Sequence, residues 1–256
     1  MMRKCILLHR KNRTMKYFFL LIWISLFSIN SLQAGGFDTE KKNPSSFDMD
    51  VSIVSQHLWR GTAQGQAPAV MPGLEVNVFE GLSISGGAVY SVDRSYDELD
   101  LSMSYIINDI KISLSDYYTP AKGGYGADQF FNYDKESTDH LLDLELDYQP
   151  FSNTPLGFKM ATALWGNRFN QYGENRYSTY LETNYQVKQS DFHLDFFFGV
   201  TPGNGFYSEK FNVVNMGMTF HQSFEYSSEK SFPIAASIVG NPANQQLHIS
   251  FALSFL

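Results

Sequence analysis

Three acidic residues at a spacing of two are the first candidates for chemistry in this chain. Asp143, Glu145 and Asp147 alternate with leucines, so a β-strand would place the three carboxylates on one face. Crowded carboxylates beside a narrow aqueous space attract cations. The same alternation occurs in other segments. If the strands close into a barrel, the residues that we predict to line its lumen or to set its selectivity are these acidic residues and one arginine: Arg60, Glu75, Asp100, Asp143, Glu145, Asp147, Glu182 and Asp195.

A structural role for the same carboxylates is the alternative, and it stays open. Small barrels are often filled by their own side chains, and Arg60, Lys111 or Arg176 could neutralise acidic groups there. Arg60 follows Trp59, and a guanidinium can both pair with carboxylates and stack on an aromatic ring. For Arg60 we expect a structural ion pair rather than a contact with a solute.

His248 and Ser250 have the spacing of a base and a nucleophile on one strand face. Their apolar neighbours occupy the other face, so the pair should point away from lipid, and the sequence offers no adjacent oxyanion site. His221 and Ser223 repeat the spacing at another strand end. We expect no catalytic residue and no enzyme activity, with a lipid-modifying enzyme as the alternative.

No pattern in the sequence indicates a cofactor or a bound metal. Walker A, GxGxxG, HExxH and paired-cysteine motifs do not occur. The acidic residues of segment 119–138 do not have the spacing of an EF-hand loop. We therefore expect neither cofactor nor metal.

Alternation of apolar and polar residues predicts a chain made of short β-strands. The last ten residues show it most clearly, with Leu247, Ile249, Phe251, Leu253 and Phe255 sharing one face. The segment lengths suit strands that cross a bilayer at a tilt. Twelve strands are predicted, with ten or fourteen as alternatives, at residues 48–60, 70–79, 82–91, 98–107, 110–118, 139–149, 156–166, 176–187, 192–201, 211–222, 232–239 and 246–256.

The connections between these strands alternate in length. Even-numbered connections are short, as at 80–81 and 108–109, whereas odd-numbered ones are mostly longer, as at 119–138. Outer-membrane barrels have short periplasmic turns and longer extracellular loops. The sequence therefore predicts an all-β fold: one antiparallel transmembrane β-barrel with both termini in the periplasm.

The amino terminus has the organisation of a secretory signal peptide. Basic residues precede an apolar stretch that ends near Ala34, and translation could start at Met1 or Met15. We predict a signal peptide at 1–34, a periplasmic lead-in at 35–47 and the barrel at 48–256. Cleavage after Ala34 would remove Cys5 and six of the 19 basic residues but none of the 26 acidic ones, leaving a net charge of −13. Such an acidic chain is a poor nucleic-acid binder.

Several short motifs, in order along the barrel, resemble a family of predicted outer-membrane porins known as TorF or Gcw-chp. The first covers residues 55–62 and contains Trp59, Arg60 and Gly61, followed by Gln64 and the segment 68–72. Further matches are at 99–101, 115–118, 131–133 and 138–140. The resemblance runs from about residue 48 to the carboxyl end. It implies an outer-membrane barrel and supplies no catalytic residues.

From these patterns we expect a narrow porin-like channel for small polar or cationic solutes in the outer membrane of a Gram-negative bacterium. Its expected partners are outer-membrane lipid, the barrel-assembly machinery and the solutes. A closed barrel that binds ligands or partners through its loops is a further alternative. The sequence does not determine the oligomeric state.

Overall fold

The structure is a computed structural model that describes residues 33–35, 46–120, 129–134, 137–150, 155–166, 175–227 and 230–255. These residues form strands and turns, and none of them lies in a helix. In the same part of the chain, no helix has the length and hydropathy needed to cross a membrane.

Fifteen strands occur within the described residues. In chain order they are β1 Gln33–Gly35, β2 Phe47–Val54, β3 His57–Trp59, β4 Thr62–Gln64, β5 Ala69–Phe79, β6 Leu82–Ser91, β7 Asp97–Ile107, β8 Ile110–Tyr118, β9 His140–Tyr148, β10 Leu156–Gly166, β11 Thr179–Lys188, β12 Phe192–Gly203, β13 Lys210–Ser227, β14 Lys230–Asn241 and β15 Gln246–Phe255.

Twelve of the described strands close into a single antiparallel barrel. Each strand from β5 to β15 pairs with the next along the chain, and β2 closes the ring by pairing with both β5 and β15. The closing pair joins Val51–Val54 to Ala252–Phe255 in register. The short strand β1 pairs with the end of β11, and β3 and β4 form a separate hairpin. The predicted all-β barrel is confirmed.

The side chains that point outward are largely apolar and exposed. The period of two puts Leu101, Met103 and Tyr105 of β7 outside, between 40% and 51% exposed, while Ser102 and Ser104 face inward. A continuous apolar exterior of this size is unfavourable in water. Other strands contribute in the same way, including Met49, Ile53, Leu74, Val76, Ile112, Leu114, Phe158, Phe196, Phe198, Ile249 and Phe251.

The two ends of the barrel differ as the sequence predicts. The end that contains the termini has short turns at 80–81, 108–109 and 189–191. The opposite end carries the longest connections, 55–68 and 119–139, within or bordering the described residues, whereas the connection 149–155 makes the first end less uniform. We refer to these as the short-turn end and the long-loop end.

Several predicted strand boundaries are wrong, and one error affects the interior. Strands β6, β8 and β10 have the predicted bounds, but the first barrel strand ends at Val54 instead of residue 60. At Ser55 and Gln56 the chain leaves the wall, and its next residues form the β3–β4 hairpin. Strand β13 continues to Ser227 and β14 begins at Lys230, so their connection is shorter than predicted.

The predicted signal peptide and lead-in lie almost entirely outside the described residues. Within the signal peptide only Gln33 and Ala34 are described, and Gly35 with them completes β1. Cleavage near Ala34 stays a prediction, as do the boundaries of both segments.

Neighbouring residues of β15 provide a test of the two faces. Phe251 points outward and is 60% exposed, whereas Ala252 lines the interior. We expect Phe251→Arg to lower the free energy of unfolding from lipid vesicles by about 2–4 kcal/mol, because it places a cation in hydrocarbon. Ala252→Arg, the matched control, should change it much less. Equal losses in urea titrations of the two variants would contradict the assigned orientation.

Candidate functional site

The β3–β4 hairpin lies inside the barrel and turns at Arg60 and Gly61. Both residues have positive φ angles, 46° and 81°, the combination of a two-residue hairpin turn of type I′. A Cβ atom on Gly61 would lie 2.0 Å from the carbonyl oxygen of Val214 on β13. Only glycine fits this contact, so residue 61 brings the hairpin tip directly against the barrel wall.

Arg60 ties the hairpin tip to the opposite wall. Its guanidinium forms an ion pair with Asp143 and lies 3.1 Å from Glu145, both on β9. It also donates a 2.6 Å hydrogen bond to the Tyr207 hydroxyl. Its Cζ lies 4.6 Å from the centre of the Trp59 ring, at the distance of a cation–π contact. The expected ion pair and aromatic stacking of Arg60 are both present.

Burial makes this pairing energetically important. The side chains of Arg60 and Asp143 are only 7% and 2% exposed, so each charge loses most of its hydration, which costs several kcal/mol per ion unless a partner compensates it. Burial alone would lower the pKa of Arg60, but Tyr207, Asp143 and Glu145 raise it well above its usual value. The guanidinium therefore stays charged at any physiological pH.

A lysine that the sequence analysis did not single out completes the pairing on β9. The Lys159 ammonium lies 2.7 Å from Glu145 and 3.4 Å from Asp147. Lys159 belongs to the inward face of β10, opposite Asp147 in register, so the alternation of that strand could have revealed it. Arg176, which was a candidate for this role, instead pairs with Glu209 at the long-loop end.

Aromatic rings from the connections at the long-loop end pack against the hairpin. Trp59 stacks on Phe206 and Tyr207, with ring centres 6.1 Å and 5.9 Å apart, and contacts Tyr117 of β8 edge-on. Asn241 donates a hydrogen bond to the carbonyl of Gly61. The hairpin is thus held by ion pairs, ring contacts and a backbone contact at once.

The hairpin leaves a cavity on the side of the barrel away from β9. Its volume is about 390 Å³, and its walls combine the hairpin with inward residues of the barrel strands. Glu182 of β11 is the carboxylate on this wall, where Asn215 donates to it over 3.0 Å and Tyr180 donates its hydroxyl proton. Among the residues described, the cavity wall therefore carries one negative side chain, Glu182, and one positive side chain, Arg60. Neutral donors hold Glu182 in place, and Lys159 of β10 lies opposite it in register.

The other predicted lumen carboxylates also face inward but are spread over the wall. Glu75 lies on β5 opposite Asp48 and Ser85. Asp100 lies on β7 with one buried carboxylate oxygen that has no hydrogen-bond partner. Asp195 on β12 pairs with His221, 3.0 Å away. The structure thus brings together Arg60, Asp143, Glu145 and Asp147, whereas Glu75, Asp100, Glu182 and Asp195 belong to separate environments; their role in selectivity stays a prediction.

His248 and Ser250 face the lumen, as their strand pattern predicts. The Ser250 hydroxyl donates a 2.8 Å hydrogen bond to the backbone carbonyl of Gln56. The Nε2 atom of His248 is buried without a hydrogen-bond partner. Ser250 therefore helps to fix the point where the chain turns into the barrel, and its proton is not directed at the histidine.

Comparisons with known proteins find similarity of fold. No family model matches the chain, and no curated protein matches it. Among solved structures, a KdgM porin has a TM-score of 0.45 at 8% identity, and a NanC porin has 0.46 at 10%; both alignments cover 81% of this chain and 98% of the other. An outer-membrane channel from Pseudomonas putida F1 has a TM-score of 0.42 at 11% identity, covering 87% and 98%. Similarity this distant carries no information about the solute, and membership of the TorF family stays a prediction.

The pairing between hairpin and wall can be measured by a double-mutant cycle. We expect Arg60→Gln to lower the free energy of unfolding by about 3–5 kcal/mol, because it leaves Asp143 buried and unpaired. Combining it with Asp143→Asn should recover part of that loss. The exposed pair of Arg176 and Glu209 is the control, with an expected coupling below about 1 kcal/mol. Equal coupling energies for the two pairs in urea titrations would contradict the prediction that burial makes the interior ion pair the stronger one.

The docking of the hairpin inside the barrel should become less stable at low pH because of His57. Burial lowers the pKa of its imidazole below the usual 6.5, so the undocked or unfolded chain binds the proton more readily. The stability contributed by neutral His57 is complete above about pH 6.5 and is lost as the pH falls through the lowered value. Urea midpoints between about pH 7.5 and pH 5 should therefore fall less steeply in His57→Gln. An unchanged slope would contradict this assignment.

Proposed function

We propose that this chain is an outer-membrane β-barrel that forms a narrow channel for small polar or cationic solutes. The observation that carries the proposal is a closed barrel with an apolar exterior and a polar interior that contains a cavity of about 390 Å³. A wall with these two faces suits a bilayer, with lipid outside and a wet lumen inside.

The arrangement of the ends supports an outer-membrane orientation. Both barrel termini and the shortest turns share one end, and the longest connections share the other, although the connection 149–155 lies at the end of the short turns. Bacterial outer-membrane barrels place short turns in the periplasm and longer loops outside, so we assign the short-turn end to the periplasm. The last described residue, Phe255, points outward and is 44% exposed, so its ring would contact lipid and be accessible to the assembly machinery.

The carboxylates of β9 and the carboxylate of Glu182 have different proposed roles. Asp143, Glu145 and Asp147 hold Arg60 and Lys159, so their first role is to anchor the hairpin and stabilise the wall. Glu182 faces the cavity, and its hydrogen-bond donors, Tyr180 and Asn215, are neutral. Lys159 lies opposite it in register, but the ammonium of Lys159 forms its ion pairs with Glu145 and Asp147, so the charge of Glu182 is the more available to a passing cation. We therefore assign cation preference to Glu182 before the three β9 residues.

The hairpin is the proposed constriction, and it also supports the alternative of a closed barrel. It occupies the interior and is held at its tip by Arg60 and Gly61, so a barrel plugged by residues 57–64 would conduct nothing. The segment 55–62 is also the first motif of the resemblance to TorF porins, and we propose that this motif builds the constriction in a TorF-like channel.

We propose no catalytic role for His248 and Ser250. Both lie on the lumen face, away from lipid, and Ser250 donates its proton to a backbone carbonyl. A lipid-modifying enzyme would need a nucleophile that is activated by a base and reached by lipid.

Planar-bilayer conductance of the refolded mature chain tests the proposal. We expect small, steady, cation-selective openings, and a larger conductance when residues 57–64 are replaced by a short glycine-serine linker, because the constriction is then absent. Glu182→Gln should reduce cation selectivity while keeping an oxygen acceptor for Asn215.

The control for the charge effect is Glu209→Gln, which removes an acidic group whose side chain is 74% exposed at the long-loop end. Its selectivity should stay close to that of the unmodified protein. A folded barrel that is silent with the hairpin and also without it would exclude the channel. A barrel that is silent with the hairpin and conducts without it would establish the plugged form.

A further inference from the structure

Two histidines and an aspartate meet on the lumen face near the short-turn end. His193 and Asp195 lie on the inward face of β12, and His221 lies opposite His193 on β13. The turn at 189–191, which connects β11 to β12, precedes them at the short-turn end. None of the three takes part in the pairing around the hairpin.

The distances in this cluster suit a shared metal ion. Oδ2 of Asp195 lies 3.0 Å from Nε2 of His221 and 3.8 Å from Nε2 of His193, and ligand atoms of all three residues lie within 4.8 Å of one another. A tetrahedral Zn²⁺ site with bonds of about 2.0–2.1 Å has ligand atoms about 3.3 Å apart. The two imidazole rings stack with their centres 4.2 Å apart and an angle of 10° between their planes. Because the lone pair of an imidazole nitrogen lies in the plane of its ring, binding one ion requires the rings to rotate out of this stack.

A neighbouring amide orients the carboxylate. Gln186 of β11 lies opposite Asp195 in register and donates a hydrogen bond to its Oδ1 atom. The other oxygen, Oδ2, therefore faces the imidazoles. Outer partners of this kind fix the orientation of metal ligands and strengthen binding.

The cluster is also accessible from the lumen. The side chains of His193, Asp195 and His221 are 37%, 28% and 34% exposed, so an ion can reach them and a water molecule can fill a fourth position. Imidazole and carboxylate donors together suit Zn²⁺, Ni²⁺ or Cu²⁺ better than Mg²⁺ or Ca²⁺, which prefer oxygen donors alone. Lys188 lies opposite His193 in register, and its charge weakens the attraction for a cation.

We propose that His193, Asp195 and His221 form a binding site for a divalent transition metal, of which Zn²⁺ is the best match, at the short-turn mouth of the barrel. The site requires the barrel fold and the lumen orientation of β12 and β13. It does not require that solute passes through the barrel.

Calorimetric titration of the untagged, refolded and chelator-treated barrel with zinc sulfate tests the site. One ion should bind per chain with micromolar or stronger affinity. His193→Ala and His221→Ala should each abolish this binding. Gln186→Ala keeps all three ligands, and we expect it to weaken binding by about 10–100-fold. Cobalt substitution should give the visible absorption of a four-coordinate ion.

The matched control is His248→Ala, because His248 is also a lumen-facing histidine but lies on β15, outside the cluster. Its zinc affinity should equal that of the unmodified barrel. Heat-dependent gel mobility verifies that every variant is folded before titration. The proposal fails if the unmodified barrel shows no saturable binding. It also fails if binding persists in the folded His193→Ala and His221→Ala variants, or if His248→Ala removes it.

Discussion

The closure of the sheet is the constraint on which the rest of this structure depends. A strand in hydrocarbon has no water to satisfy its backbone N–H and C=O groups, so an open edge would be very unfavourable. Strand β2 removes both edges by pairing with β5 on one side and with β15 on the other. Once the ring is closed, every strand has one face outside and one face inside. The apolar exterior and the polar interior both follow from that division.

The interior then faces a second constraint, which is the cost of enclosing charge. The inward faces carry the carboxylates of Asp143, Glu145 and Asp147, and the hairpin and β10 bring Arg60 and Lys159 to them. Because each buried ion needs a partner, this arrangement fixes the hairpin inside the barrel. The remaining space lies on the opposite side, where Glu182 meets neutral hydrogen-bond donors. One side of the lumen is therefore a structural core, and the other is the proposed path.

The alternation of residues allowed much of the fold to be predicted, but it failed where the chain leaves the wall. The regular alternation breaks after Ile53, because Val54 is apolar and Ser55, Gln56 and His57 are three polar residues in a row. This break coincides with the end of the wall strand at Val54, but the break alone does not indicate that the chain turns into the barrel. The turn arises because Ser55 and Gln56 contact β15, whose Ser250 hydroxyl binds the Gln56 carbonyl. That contact joins residues far apart in sequence. The local break in alternation is consistent with the end of the strand, but it does not reveal this contact.

The sequence by itself determined which residues face the lumen, because side-chain direction in a strand depends only on the local period of two. Its placement of Glu75, Asp100, Asp143, Glu182 and Asp195 on inward faces agrees with the structure. Only the tertiary structure decided which of those residues meet. Arg60 reaches Asp143 because the hairpin folds inward, and His221 lies beside His193 because β12 and β13 pair in one register. Partners across a lumen or a strand pair are set by closure and register, which act over the whole ring and leave no trace in a local stretch of sequence.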